Sequence, residues 1–239
     1  GLVGSEMCIR DSIRRKYPLR QYLYGYMATM TGAEIEVSND RYFRTSELLC
    51  CLTDTPRTNL NYYYPKISRP YRYVRFTPPP PAYPTADCRA EIAELAFFDS
   101  VDSEEHLPSK AIYGGGPVDE NPAHDIDKAC DDDWLTFYYS SGPQDSIVFD
   151  LQRARVIKKI LFVPRNDDNF ITPGNVYELF YQSGVKGWIS LGVQTATTNE
   201  LIYRNIPEGA LLWLRNLTRG KEEQVFYVEN DRQRFVGYE

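Results

Sequence analysis

The chain has 239 residues, of which 42% are hydrophobic and 25% are charged, a balance that excludes intrinsic disorder and allows one large domain or two domains of about 100 residues. The formal net charge of −6 comes without a basic stripe, which argues against nucleic acid as a partner. No apolar run approaches the roughly 20 residues that span a bilayer, so we expect no membrane insertion.

The chain begins with "GLVGSEMCIRDS", residues 1–12. This stretch has neither an initiator Met nor the basic-then-apolar build of an export signal, and it resembles translated adapter sequence. We expect residues 1–12 to be a non-native leader, and the fold prediction leaves them out.

Residues 13–101 predict a first β-rich domain. Its apolar segments are short and read "AEIEVSN", "ELLCCL", "YRYVRF" and "IAELAFF". The whole chain contains 19 Tyr, 11 Phe and 3 Trp, residues that suit a pleated surface better than a helix. Its five cysteines form no CxxC pair, which argues against a zinc site.

An acidic, apolar-poor stretch, "DSVDSEEHLPSK", follows this domain. Its composition is typical of a segment that connects domains. We predict a linker at residues 102–110.

Residues 111–239 predict a second β-rich domain. From residue 146 the apolar segments "SIVFDL", "VIKKILFV", "VYELFYQ", "WISLGVQ", "LIYRNI", "LLWLRNL" and "QVFYVE" start 10 to 20 residues apart, which is too close for helical crossovers. Alternation with a period of two places Ile147, Phe149 and Leu151 on one core face, and Tyr177 and Leu179 on another. The fold class is therefore all-β, with sandwich or barrel domains.

Three aspartates in a row precede an apolar run in "KACDDDWLTFYYSS", residues 128–141. Like charges repel and a buried carboxylate is costly, so this cluster is either solvated or neutralised by a cation. In the solvated alternative, Asp131 caps a short helix.

Two stretches carry a family likeness. "GAEIEVSNDRYF", "YRYVRF" and "IAELAFF" resemble the second half of a discoidin domain, also called coagulation factor 5/8 type C. "KACDDDWLTFYYS", "SIVFDLQRARVIKKILFVPR" and "YELFYQ…GWISLG" resemble the same family from its beginning. The resemblance implies two tandem jelly-roll sandwiches of the galactose-binding-like type, the first lacking its opening strands, similar to bacterial carbohydrate-binding modules.

The same resemblance implies a structural calcium ion in the Asp-rich loop. Calcium takes 6 to 8 oxygen ligands. The implied ligands, which include backbone carbonyls of the loop and a Glu of the last strand, come from Lys128, Asp131, Asp133 and Thr136 and from Glu222 or Glu223. Asp132 stands where the family usually has Gly. Glu94 is the matching Glu of the first copy, and without an Asp-rich partner loop we expect its site to be empty.

The sequence gives little support for catalysis. His106 and His124 lie near no apparent nucleophile, and no G-x-S-x-G, P-loop or Rossmann fingerprint is present. The triple glycine of "YGGGPVD" follows the predicted linker rather than a strand, so we interpret it as a flexible lead-in. We expect a non-catalytic protein.

The polar loop "PRNDDNFITPG", residues 164–174, combines polar groups with an aromatic ring, which are the ingredients of a sugar site. The candidate ligand-binding residues are Arg165, Asn166, Asp167, Asp168, Asn169 and, on another segment, Trp188. In the alternative interpretation Arg165 pairs with Asp167 or Asp168 in a solvated loop, and Trp188 packs in the core.

The predicted function is a pair of non-catalytic carbohydrate-binding modules in a larger extracellular, cell-surface or periplasmic protein. The expected partners are a glycan or glycoconjugate and an adjacent enzyme domain of the full-length protein. In the competing hypothesis the sandwiches have a structural or protein-interaction role and space or dock a neighbouring domain.

Overall fold

A computed structural model describes residues 30–54, 60–80, 89–117, 120–166, 171–198, 201–220, 224–229 and 232–236. The predicted leader, residues 1–12, lies outside this part. The described residues form strands and three single-turn 3-10 helices, which confirms the all-β prediction. None of the described helices is both long and apolar enough to cross a membrane.

Described residues up to 166 belong to one compact unit, which we call the sandwich unit, and those from 171 onward belong to a second unit. The strands of the sandwich unit are β1 (Glu34–Ser38), β2 (Glu47–Cys51), β3 (Asn61–Tyr63), β4 (Tyr71–Thr77), β5 (Glu91–Phe98), β6 (Lys110–Tyr113), β7 (Tyr138–Tyr139), β8 (Ile147–Arg155) and β9 (Lys159–Pro164). They form a five-stranded sheet in the order β2-β1-β4-β8-β6 and a four-stranded sheet in the order β3-β9-β5-β7.

The two sheets of this unit bury one shared core between them. Phe76 of the five-stranded sheet stacks on Phe162 of the four-stranded sheet with ring centroids 5.9 Å apart, and Phe149 meets the edge of Phe97 at 5.6 Å. Ile147 and Phe149 are fully buried, as the alternation in β8 predicts. Aromatic pairs of this kind stabilise the packing beyond the area that they bury.

Residues 102–110, the predicted linker, lie within the sandwich unit, and the described chain divides between residues 166 and 171 instead. Leu107 is buried in the sandwich core, and its N–H donates to the carbonyl of Phe97 at 2.7 Å. Pairing of β4 with β8 and of β5 with β9 joins segments from both sides of residues 102–110. A polar segment can thus be part of a domain when one apolar side chain and its backbone groups anchor it.

The second unit contains β10 (Val176–Gln182), β11 (Trp188–Thr195), β12 (Leu212–Asn216), β13 (Phe226–Glu229) and β14 (Arg232–Phe235) in the order β11-β10-β12-β13-β14. Tyr177 and Leu179 lie in its core, as predicted. The segment "LIYRNI" is not a strand, contrary to expectation, but Leu201 and Tyr203 are buried in the same core. Leu201 and Tyr203 are therefore buried without pairing of this segment in a sheet.

Candidate functional site

A cavity of about 660 Å³ lies on the outer face of the five-stranded sheet of the sandwich unit. We call it the sheet-face cavity. It is lined by Arg41, Tyr42, Phe43, Arg75, Ile112, Tyr113, Gln144, Asp145, Ser146 and Val148. These residues come from β4, β6, β8 and two loops, so only the folded sheet brings them together.

The floor of the cavity consists of apolar side chains and the Arg75 guanidinium, which is paired with Glu36. Phe43, Val148 and Ile112 pack together outside the main core. The Arg75 guanidinium lies 4.5 Å from the centroid of the Phe43 ring, and its Nη2 is 2.5 Å from Glu36 Oε2. Ion pairing and stacking hold the Arg75 guanidinium over the Phe43 ring and balance its charge.

One wall of the cavity ends in Asp145. Its Oδ2 accepts hydrogen bonds from the N–H of Gly142 at 2.7 Å and from the hydroxyl of Ser141 at 3.4 Å. A Cβ atom on Gly115 would lie 2.1 Å from Oδ2, so this glycine leaves the room that the carboxylate occupies. The triple glycine is therefore not only a lead-in, because it follows β6 and shapes this wall.

The rim of the cavity carries exposed aromatic rings and polar groups. Tyr42 is 77% exposed and Tyr113 is 66% exposed. Within the described part of the chain, Arg41, Gln144 and the Asp145 Oδ1 atom form no hydrogen bond or ion pair. These groups are free to bind a polar ligand.

Two residues of the cavity have strained backbones. Phe43 has φ of +51° and Gln144 has φ of +63°, values in the left-handed region that favours glycine. Such conformations persist only where the surroundings impose them, and they concentrate at ligand sites. Their presence in the lining of the cavity supports a functional role for it.

The Asp-rich loop forms a second candidate site, centred on Asp131. The hydroxyl of Thr136 donates to both carboxylate oxygens of Asp131, at 2.9 and 3.0 Å. The N–H of Asp133 donates to Asp131 Oδ1 at 3.2 Å, and Lys128 Nζ lies 3.3 Å from Oδ2. Lys128, Asp131, Asp133 and Thr136 thus lie in one loop. The Asp133 side chain accepts from the N–H of Leu135.

The middle aspartate of the triplet, Asp132, also has defined contacts. Asp132 has φ of +61°, so the position that is usually Gly in the resembled family has a Gly-like backbone here. Asp adopts this region more readily than most residues. The Asp132 carboxylate lies 3.0 Å from His106 Nε2. The three like charges are tolerated because Lys128 pairs with Asp131 and because the side chains of Asp132 and Asp133 are exposed to solvent.

Glu94 supplies a buried carboxyl group to this loop. It lies in β5, is 2% exposed, and its Oε2 accepts the N–H of Asp132 at 3.0 Å. Burial raises the pKa of Glu94 to about 8, and repulsion from Asp132 and Asp131 adds to the rise. The expectation that Glu94 lacks an Asp-rich partner loop is wrong, because the loop belongs to the same sandwich.

The predicted ligands Glu222 and Glu223 lie outside the described residues. In the described part of the chain, no group of three or more His, Cys, Asp or Glu side chains is arranged to hold a metal. The loop presents hydroxyl and carbonyl oxygens as well as carboxylates, a donor set that calcium accepts. Glu94 is the one ionisable residue within the otherwise apolar "IAELAFF", so the sequence alone indicates it but not the loop that it contacts.

The predicted sugar loop is placed differently. Arg165 is only 15% exposed, stacks 4.3 Å from the centroid of the Phe137 ring, and has Nη1 3.4 Å from Glu91 Oε1. Asn166 is 4% exposed and donates to the carbonyl of Trp134 at 2.8 Å. Arg165 and Asn166 thus contact Phe137 and Trp134, two residues that pack on the outer face of the four-stranded sheet.

Asp167, Asp168 and Asn169 lie outside the described residues. Trp188 begins β11 in the second unit, is 36% exposed, and has its ring centroid 5.7 Å from that of Trp213. Arg165 and Trp188 thus belong to different units.

Comparison of the chain with protein-family models, with curated proteins and with solved structures finds no match.

Proposed function

We propose that the sandwich unit is a non-catalytic carbohydrate-binding module that holds a glycan in the sheet-face cavity. The observation that carries the proposal is the rim, where the exposed rings of Tyr42 and Tyr113 line the same cavity as the polar side chains of Arg41, Gln144 and Asp145. Aromatic rings offer a surface for the apolar faces of sugars, and charged or amide groups bind hydroxyls by short hydrogen bonds.

The shape of the cavity supports a small ligand. Its volume of about 660 Å³ lies within the range of small-molecule sites, roughly 300–1,000 Å³. The apolar floor and polar rim match a ring that has C–H groups on its face and hydroxyls on its edge. A flat protein partner would gain little from such a concave site.

We further propose that calcium binds at the Asp-rich loop and stabilises the unit. Support comes from the Asp131 carboxylate with its Thr136 hydroxyl neighbour and from the buried Glu94 carboxyl beside the loop. A divalent cation would favour the ionised form of Glu94, whose charge is otherwise poorly solvated. In this role the ion joins β5 to the loop and takes no part in chemistry.

The wider context is part of the same proposal. The chain would act as a recognition module within a larger extracellular, cell-surface or periplasmic protein, next to an enzyme domain. The competing hypothesis, in which the units space or dock a neighbouring domain, predicts protein partners and no glycan.

The test is a glycan array on the full chain, followed by calorimetric titration of the best glycan. Tyr42→Ala and Tyr113→Ala should each weaken binding by about fivefold, since stacking on one ring contributes on the order of 1 kcal/mol. Tyr64→Ala is the matched control, because Tyr64 is 56% exposed and does not line the cavity.

Three outcomes would reject the proposal. A chain that binds no glycan but captures a protein would favour the docking hypothesis. A loss of binding confined to Trp188→Ala would transfer the site to the second unit. Steady product release from a bound polysaccharide would make the protein an enzyme.

A further inference from the structure

The backbone of the loop that carries Tyr42 is hydrogen-bonded to one residue, Asp40. Asp40 Oδ1 accepts the N–H of Tyr42 at 3.2 Å, and Oδ2 accepts the N–H of Arg44 at 3.1 Å. The backbone carbonyl of Asp40 accepts the N–H of Phe43 at 3.0 Å. Three consecutive backbone donors are thus satisfied by Asp40.

Ser38 ties the two ends of this loop together. The N–H of Asp40 donates to Ser38 Oγ at 2.9 Å, and the Ser38 hydroxyl donates to the carbonyl of Thr45 at 2.6 Å. Ser38 is 1% exposed and ends β1. The buried Ser38 hydroxyl therefore anchors both ends of the loop from 38 to 45 to the end of β1.

Phe43 shows that this arrangement imposes a conformation. A bulky residue at φ of +51° is disfavoured unless its surroundings over-determine it. Here the N–H is bound by Asp40 while the ring packs on Tyr73 and Val148 beneath the guanidinium of Arg75. The left-handed turn at Phe43 directs the preceding two residues to the rim of the cavity.

We infer that Asp40, which does not line the sheet-face cavity, is the positioning residue that holds Arg41 and Tyr42 at its rim and thereby sets its affinity for the glycan. The inference rests on the proposed function. A loop that is ordered before binding does not have to be immobilised by the ligand, and the affinity is higher by that saving. Arg44 Nε also lies 2.7 Å from Asp40 Oδ2, but the Arg44 side chain is 78% exposed, so this ion pair adds little to the three backbone hydrogen bonds.

The experiment compares three variants of the full chain. Asp40→Ala removes both side-chain acceptors, and the glycan affinity should fall by about tenfold, the loss expected when two side chains must be ordered on binding. Asp40→Asn keeps one acceptor and should restore part of that loss. Arg44→Gln is the control, because it removes the ion pair and leaves the backbone bonds to Asp40, so its affinity should match the wild type.

Amide hydrogen exchange gives a readout that does not need the glycan. In Asp40→Ala the amides of Tyr42 and Arg44 should exchange faster, while those of β4 and β8 keep their protection. Unchanged exchange at Tyr42 and Arg44, or an affinity in Asp40→Ala equal to that of the wild type, would overturn the inference. If the wild type binds no glycan but Asp40→Ala still shows faster exchange at Tyr42 and Arg44, the proposed function is rejected. Asp40 then remains the residue that orders the loop.

Discussion

Glu94 Oε2 accepts a hydrogen bond from the backbone N–H of Asp132 at 3.0 Å, across 38 residues of sequence. The carboxyl group is 2% exposed, and its pKa of about 8 lies well above its ordinary value of 4.5. The buried strand β5 and the Asp-rich loop are therefore coupled through a group that titrates near neutral pH.

The first prediction concerns pH. Because the pKa of Glu94 is raised on folding, the native state binds its proton more tightly than the unfolded state does, and stability falls as the pH rises from about 5 to about 8. Without divalent ions we expect a loss on the order of 2–4 kcal/mol over this range. Urea unfolding in EDTA at several pH values measures it.

Glu94→Gln removes this titration and keeps an acceptor for the N–H of Asp132, so its stability should vary less with pH. Glu104→Gln is the control, because Glu104 is exposed. If wild type and Glu94→Gln lose stability in parallel between pH 5 and pH 8, the buried carboxyl group does not control this dependence.

The second prediction concerns calcium. At pH 7.5, millimolar calcium should raise the melting temperature by several degrees and EDTA should reverse the rise, because a ligand that binds only the native state stabilises it. Glu94→Gln and Asp131→Asn should abolish the response. Identical melting curves with calcium and with EDTA, together with no bound calcium by elemental analysis, would exclude the ion.

The third prediction concerns the glycine beside Asp145. A Cβ atom at Gly115 would lie 2.1 Å from Asp145 Oδ2, so Gly115→Ala must displace that carboxylate and should weaken glycan binding. We expect a cost in stability of about 1–3 kcal/mol from overpacking. Gly116→Ala is the matched control, since a Cβ there meets no atom within 4 Å. Equal affinities for the two variants would show that Asp145 does not contact the ligand.

The fourth prediction concerns the segment 102–110. A protease site inserted between Glu104 and Glu105, both exposed, should allow cleavage without separation, because β4 with β8 and β5 with β9 pair across the cut. The two fragments should coelute in size-exclusion chromatography and separate only in denaturant. Separation in native buffer would restore the predicted domain boundary.

Local features were predictable from the sequence because their causes lie within a few residues. The alternation of Ile147, Phe149 and Leu151 identified a core face, since strand side chains alternate with a period of two. Asp131 and Thr136 lie five residues apart and meet within one loop. The strands of "AEIEVSN", "YRYVRF" and "IAELAFF" were found for the same reason.

Tertiary structure alone decided what those elements contact. A strand's alternation fixes which face is apolar but not which strand pairs with it, so the joining of β5 to β9 and the arrival of Glu94 at the Asp-rich loop could not be derived locally. Arg165 was predicted at a ligand site, yet its guanidinium stacks on Phe137, a residue that is 28 positions earlier in the chain. The sheet-face cavity likewise exists only because long-range pairing places Tyr42, Tyr113 and Asp145 on one face of one sheet.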